Sequence, residues 1–85
     1  MEQETQRAFE DLFSTFSEAG WEVFQTDLEQ TAKGVEHKIL GESLTEAEYN
    51  FEKGQLNVLN NIMNYENSVR VNYDNLTEET QENEG

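Results

Sequence analysis

The chain has no cysteine, a single histidine and only five basic residues among its 85. Without cysteine there is neither a disulfide framework nor a thiolate zinc site. The bases, Arg7, Lys33, Lys38, Lys53 and Arg70, are scattered, so no basic patch exists to displace counterions from phosphate backbones or anionic lipid. Direct binding to nucleic acid or to a membrane is therefore not expected. No apolar run approaches the ~20 residues of a membrane-spanning helix. The start, MEQETQRAFEDLF, carries acids where a secretion signal needs a basic and then an apolar block. The expected location is the compartment of synthesis, and Asn75-Leu76-Thr77 is then a chance match to a glycosylation acceptor.

Site chemistry is equally sparse. His37 has no cysteine to activate and reads as a surface residue near a helix C-terminus, where positive charge is favoured. A ferritin-like metal site needs Glu-x-x-His, whereas Lys33 and Gly34 precede His37 at the relevant steps. The calcium-loop pattern and a glycine-rich phosphate cradle are also missing, and no carboxylate spacing singles out an acid–base pair. The expectation is a non-enzymatic chain with no catalytic, cofactor-binding or metal-binding residue.

What the chain has is acid: 19 Asp and Glu give a formal charge of −14. It also has helical periodicity. Ala8, Phe9, Leu12, Phe13 and Phe16 form one stripe of a first helix, Glu4 to Ser17. A joint follows, with Gly20 suited to a left-handed helix stop and Ser17 to a cap. Trp21, Phe24, Leu28, Ala32 or Thr31, Val35 and Ile39 mark a second helix; Gly34 lies inside it, and the segment VEHKIL that follows equally fits a looser extension. Gly41 supplies a stop, and Ser43 or Thr45, each three residues before a glutamate, supplies the next start across a linker of about four residues. The central helix, Thr45 to Tyr65, presents Phe51, Val58, Ile62 and Tyr65 at recurrent steps. Gly54 inside it suggests a close neighbour.

The short linker makes the second and central helices antiparallel neighbours. Leu44, Ala47, Phe51, Val58 and Ile62 are expected to face Trp21, Phe24, Leu28 and Val35. Asn64 and Asn67 bracket the central helix's end, and Val69, Val71, Tyr73 and Leu76 allow a short last helix, with Glu66 and Arg70 at pairing distance, although the alternation of Val69, Val71 and Tyr73 also permits an extended segment. The segment from Thr77 has no apolar residue and is expected to be a disordered acidic tail. The predicted fold is thus all-α: a helical hairpin with an added N-terminal helix and a short C-terminal helix. A single helical domain would span 1–76 and the tail 77–85. A core this small leaves self-association, a homo-oligomer, open as a way to complete it.

Two surfaces could carry function. Asn57, Asn60, Asn61 and Asn64 place amides where a solvent-facing helix usually has Glu, Lys or Gln, and amides can exchange hydrogen bonds with a partner. Phe9 and Phe13 are the expected aromatic anchors of a protein contact. Alternatively, Glu42, Glu46, Glu48 and Glu52, with a second row at Glu10, Asp11, Glu18 and Glu22, could mimic duplex phosphates and block a basic nucleic-acid enzyme.

The combination of Gly20-Trp21 with Phe51-x-Lys53-Gly54-Gln55-Leu56 and Ile62-x-Asn64-Tyr65-Glu66 resembles small acidic helical proteins of unassigned activity in tailed bacteriophages. The likeness spans roughly residues 13–69, and residues 34–44 and the acidic tail lie outside its pattern. It implies phage origin, a location in the infected host's cytoplasm or in the virion, and a particle-associated role with a phage particle protein as partner. It carries over no catalytic residue. Under the mimicry reading the partner would instead be a host nucleic-acid enzyme or defence system.

Overall fold

The computed structural model describes the backbone of residues 1–84 and the side chains of residues 1–79. Among them are four α-helices and no strand: α1 (Gln3–Phe16), α2 (Ala19–Gly41), α3 (Glu46–Met63) and α4 (Tyr65–Glu84). Two elbows and one linker articulate them. At the first elbow the Ser17 and Glu18 amides donate to the carbonyls three residues back, and Glu18 is extended, which turns the chain. Thr15 and Ser17 hydroxyls donate to the Asp11 and Phe13 carbonyls, competing with the helix ladder just before the break.

The expected break is therefore present, but its chemistry differs. No glycine has a positive φ among the described residues, Gly20 lies inside the first turn of α2, and Ser17 closes α1 rather than capping α2. Helix α2 runs unbroken past Gly34 to Gly41, and the cap of α3 falls on Thr45, whose Oγ1 accepts the Glu48 amide at 3.1 Å. Asn64 forms the second elbow with helical dihedrals (φ −89°, ψ 0°) rather than the left-handed stop. The amide of Asn64 donates to Asn60 and its carbonyl accepts from Ser68, so α3 passes almost directly into α4. Asn67 lies within α4.

Long-range contacts pair the two halves of the chain in opposite directions. Lys38 meets Glu52 at 3.0 Å, Trp21 Nε1 donates to Glu66 at 2.8 Å, and the Phe9 and Phe13 rings meet Tyr73 at 5.2 and 5.1 Å. The outcome is a ribbon two helices wide and one helix thick, 58 × 28 × 16 Å, with a radius of gyration of 18.0 Å. A compact chain of this length would have a radius of about 12 Å. Phe16, Ala32, Val35 and Val69 are buried, yet no large side chain among the described residues is wholly enclosed. A single layer gives each helix only one lateral neighbour, so its second apolar face has nothing to pack on.

That geometry corrects the register expected for α3. The inward face is Glu52, Leu56, Leu59 and Met63, whereas Phe51 and Val58 stay 64% and 58% exposed and Ile62 and Tyr65 are exposed as well. Helix α3 carries two apolar stripes, and the ribbon covers the aliphatic one. A second difference concerns the last helix: α4 is 20 residues long, Tyr65–Glu84, rather than short. The Thr77 hydroxyl bonds to the Tyr73 carbonyl at 2.8 Å. The last expected tail residue, Gly85, lies outside the described residues.

Gly34 has open space where a Cβ would stand and ordinary helical φ. Gly34→Ala is expected to raise stability by about 0.5–1 kcal/mol through the lower entropy of the unfolded chain, measured by urea denaturation.

Candidate protein-binding groove

Between α2 and the uncovered stripe of α3 runs a groove. One end is a hollow of about 420 Å³ lined by Trp21 and Phe24 of α2, Val58, Asn61 and Ile62 of α3, and Tyr65 at the start of α4. It shares Val58 with a second cavity of about 660 Å³ lined by Thr31, Asn50, Phe51, Gly54, Gln55 and Leu59. Phe51 in turn borders a smaller cavity of about 250 Å³ beside Leu44, Ala47 and the Lys38–Glu52 pair. The two larger cavities have no charged lining residue. This follows from the sequence, since the twelve residues Gly54 to Tyr65 contain no Asp, Glu, Lys or Arg in a chain that is 28% charged.

Gly54 sits on the floor of the groove with open space where a Cβ would stand. The close neighbour expected for this glycine is therefore not found among the described residues. Trp21 is fixed at the groove's end by three contacts. Its ring lies 4.9 Å from Phe16 and 5.6 Å from Phe24, and its N–H is held by Glu66.

The expected site residues divide. Asn61 lines the groove; Asn57 and Asn60 are exposed on α3 outside it. Asn64 is committed to the elbow, its amide donating to Ser68 Oγ and its Oδ1 accepting from Asn67. Phe9 and Phe13 are not exposed anchors. Both are half-buried under Tyr73, and the Arg70 guanidinium lies 5.3 Å from the Phe13 ring centre. The exposed apolar residues along the groove are instead Phe24, Phe51, Val58 and Ile62; their periodicity alone points inward, and the sequence signal that marks them as surface is the absence of charge around them.

The acidic row of α3 is broken by packing. Glu52 is 6% exposed and paired with Lys38, which holds the Lys38 ammonium above its ordinary pKa through that hydrogen bond and the Glu52 charge. Glu42, Glu46 and Glu48 remain exposed. Glu46 and Glu48 lie in the first turn of α3, where carboxylates favour the helix dipole. Glu10, Asp11, Glu18 and Glu22 are exposed as well. Among the described residues no three His, Asp or Glu side chains gather as metal ligands, and no helix is long and apolar enough to cross a membrane.

No protein-family profile, curated protein or solved structure matches the chain.

Proposed function

We propose that this chain is a non-enzymatic protein-binding module, encoded by a tailed bacteriophage and acting as a small accessory or component of particle assembly. The observation that carries the binding role is the uncharged apolar groove on a chain of charge −14. Exposed apolar surface of this continuity marks a contact site. The scaffold in this reading is a helical hairpin of α2 and α3, with Phe24, Phe51, Val58 and Ile62 as anchors. The particle role rests on the resemblance around Gly20-Trp21 and the Lys53-Gly54-Gln55-Leu56 segment. Its setting is the infected cell's cytoplasm and, after assembly, the virion. Burial of Glu52 removes one member of the phosphate-mimicking row and favours the apolar surface over the acidic one.

The test is capture from infected cells with the wild type and with a Phe51→Glu, Val58→Glu variant, eluted in a salt gradient. Both positions are exposed, so the variant is expected to keep its helicity. The wild type should retain capsid, portal or tail proteins through moderate salt, and the variant should lose them about ten-fold or more, because two carboxylates would enter an apolar contact. Equal capture by both forms of a nucleic-acid enzyme released at low salt would overturn the reading in favour of electrostatic mimicry.

A further inference from the structure

We infer that the partner seated in the groove is a second copy of this chain, docked through α3 about a two-fold axis so that two single-layer ribbons stack as a four-helix bundle of their α2 and α3 helices. This rests on the binding-module reading and assigns the groove to a second copy, so that the loss of particle proteins by the Phe51→Glu, Val58→Glu variant follows from loss of the dimer. Three observations converge on it.

The first is area. The chain exposes 6547 Å², whereas a compact monomer of this mass exposes about 5,200 Å². The difference, about 1,300 Å², exceeds the ~800 Å² per partner that a stable interface removes. The 16 Å thickness has the same origin, since one helical layer lacks the second that closes a core.

The second is charge. Two copies of a −14 chain repel wherever carboxylates would meet, and the Gly54-to-Tyr65 stretch is the long segment without them. A basic partner would gain nothing from charge in a groove that has none.

The third is spacing. Ala47, Phe51, Gly54, Val58 and Asn61 of α3, with Tyr65 just past the Asn64 elbow at the start of α4, stand at steps of 4, 3, 4, 3 and 4, a coiled-coil spacing that reads the same in either direction. An antiparallel copy centred between Gly54 and Val58 therefore sets small against large. Gly54 faces Val58 of the second copy, Ala47 faces Tyr65, and Phe51 falls beside Asn61 and Ile62. Alternation of this kind interdigitates a core, and the open space over Gly54 receives the second copy's side chain.

The experiment is sedimentation equilibrium of the full chain from about 1 to about 100 μM, for the wild type and for Val58→Glu, with circular dichroism alongside. The wild type is expected to pass from monomer to dimer. Its association should tighten as salt screens the charge of the two copies, opposite to binding a basic enzyme. Val58→Glu should weaken association by about 100-fold, since each interface would bury a carboxylate twice. The chain has no cysteine of its own, so Gly54→Cys mixed with Val58→Cys and oxidised reports the register. The mixed disulfide should exceed, by about ten-fold, the product of Val23→Cys, a residue 61% exposed and outside the groove.

A wild type that stays monomeric throughout would overturn the second copy. If that monomer still captures particle proteins in a Val58-dependent way, a helix of another protein occupies the groove and the binding-module reading stands. A dimer that captures no particle protein would leave the second copy in place and remove the particle role. A dimer indifferent to Val58→Glu, or one that cross-links at Val23 instead, would overturn the proposed face. Should Val58→Glu lose its helix content, the cysteine pairs decide.

Discussion

Phe16→Ala is expected to lower stability by about 3 kcal/mol or more, enough to leave a chain this small largely unfolded near body temperature. Phe16 is 9% exposed and closes α1 where the first elbow meets the second. Its ring lies 4.9 Å from Trp21, 6.1 Å from Tyr65 and 5.7 Å from the Arg70 guanidinium, so one side chain joins α1, α2 and α4. Each aromatic contact contributes about 0.5–1.5 kcal/mol beyond area burial. A ribbon without a second layer has little else with which to refill the space. Urea denaturation followed by Trp21 emission measures the loss at the junction itself. In the same assay at the dilute end of the concentration range, Phe51→Ala should change stability by only about 0.5 kcal/mol, because Phe51 is 64% exposed. Reversal of that order would mean that the Phe51 stripe of α3 faces inward.

The helices were legible because each carries an apolar stripe at steps of three and four. The elbow near Ser17, the stop at Gly41 and the Thr45 cap were legible because short polar side chains and glycine interrupt those stripes at defined places. The register of α3 was not, and the reason is physical. Phe51, Val58, Ile62 and Tyr65 form one stripe and Leu56, Leu59 and Met63 another, and periodicity cannot say which is covered when only one neighbour is available. Glu52 misled further, since a glutamate beside lysine in sequence reads as solvent-facing. Its buried place depends on Lys38, fourteen residues away across the linker.

The same limit governs the candidate site. Gly54, the neutral stretch after it and the asparagines could all be read directly, but of these Gly54, Val58, Asn61 and Ile62 line the open groove whereas Asn57, Asn60 and Asn64 do not. Phe9 and Phe13 seemed available because the side chain that covers them, Tyr73, is some sixty residues distant. In addition, Val69, Val71 and Tyr73 also fit an extended segment. Once α4 is a full helix, Val69, Tyr73 and Leu76 recur at steps of four and three. That places Tyr73 over α1 and turns the expected anchors into core. Contacts of such separation are set by how far a helix continues, which acidic composition at its end obscured.

The junction also sets the second large effect, at Glu66. Its carboxylate accepts the Trp21 indole N–H at 2.8 Å and the Arg70 Nε at 3.0 Å, while the Arg70 guanidinium lies over the Phe13 and Phe16 rings. Glu66→Ala therefore strands the indole donor and frees the arginine that stacks on α1. Hydrogen bonds to charged groups contribute about 1.5–3 kcal/mol when buried, and with the carboxylate one-third exposed an overall loss of about 1–2 kcal/mol is expected after solvent screening. The Trp21 indole bond, and then Arg70, hold the Glu66 carboxyl below its ordinary pKa. A carboxyl depressed on folding stabilises above its unfolded pKa and loses that contribution as pH falls through the folded value. Acidification also relieves repulsion within a chain of charge −14, which acts in the opposite direction. The decisive quantity is thus the difference between wild type and Glu66→Gln, which keeps an acceptor but not the charge. That difference should be constant from neutral pH to about pH 5 and should shrink below the ordinary carboxylate range. Stability and Trp21 emission measured together across that range check it. A difference independent of pH would mean that Glu66 acts as a hydrogen-bond acceptor alone, and that Arg70 is held by the aromatic rings without it.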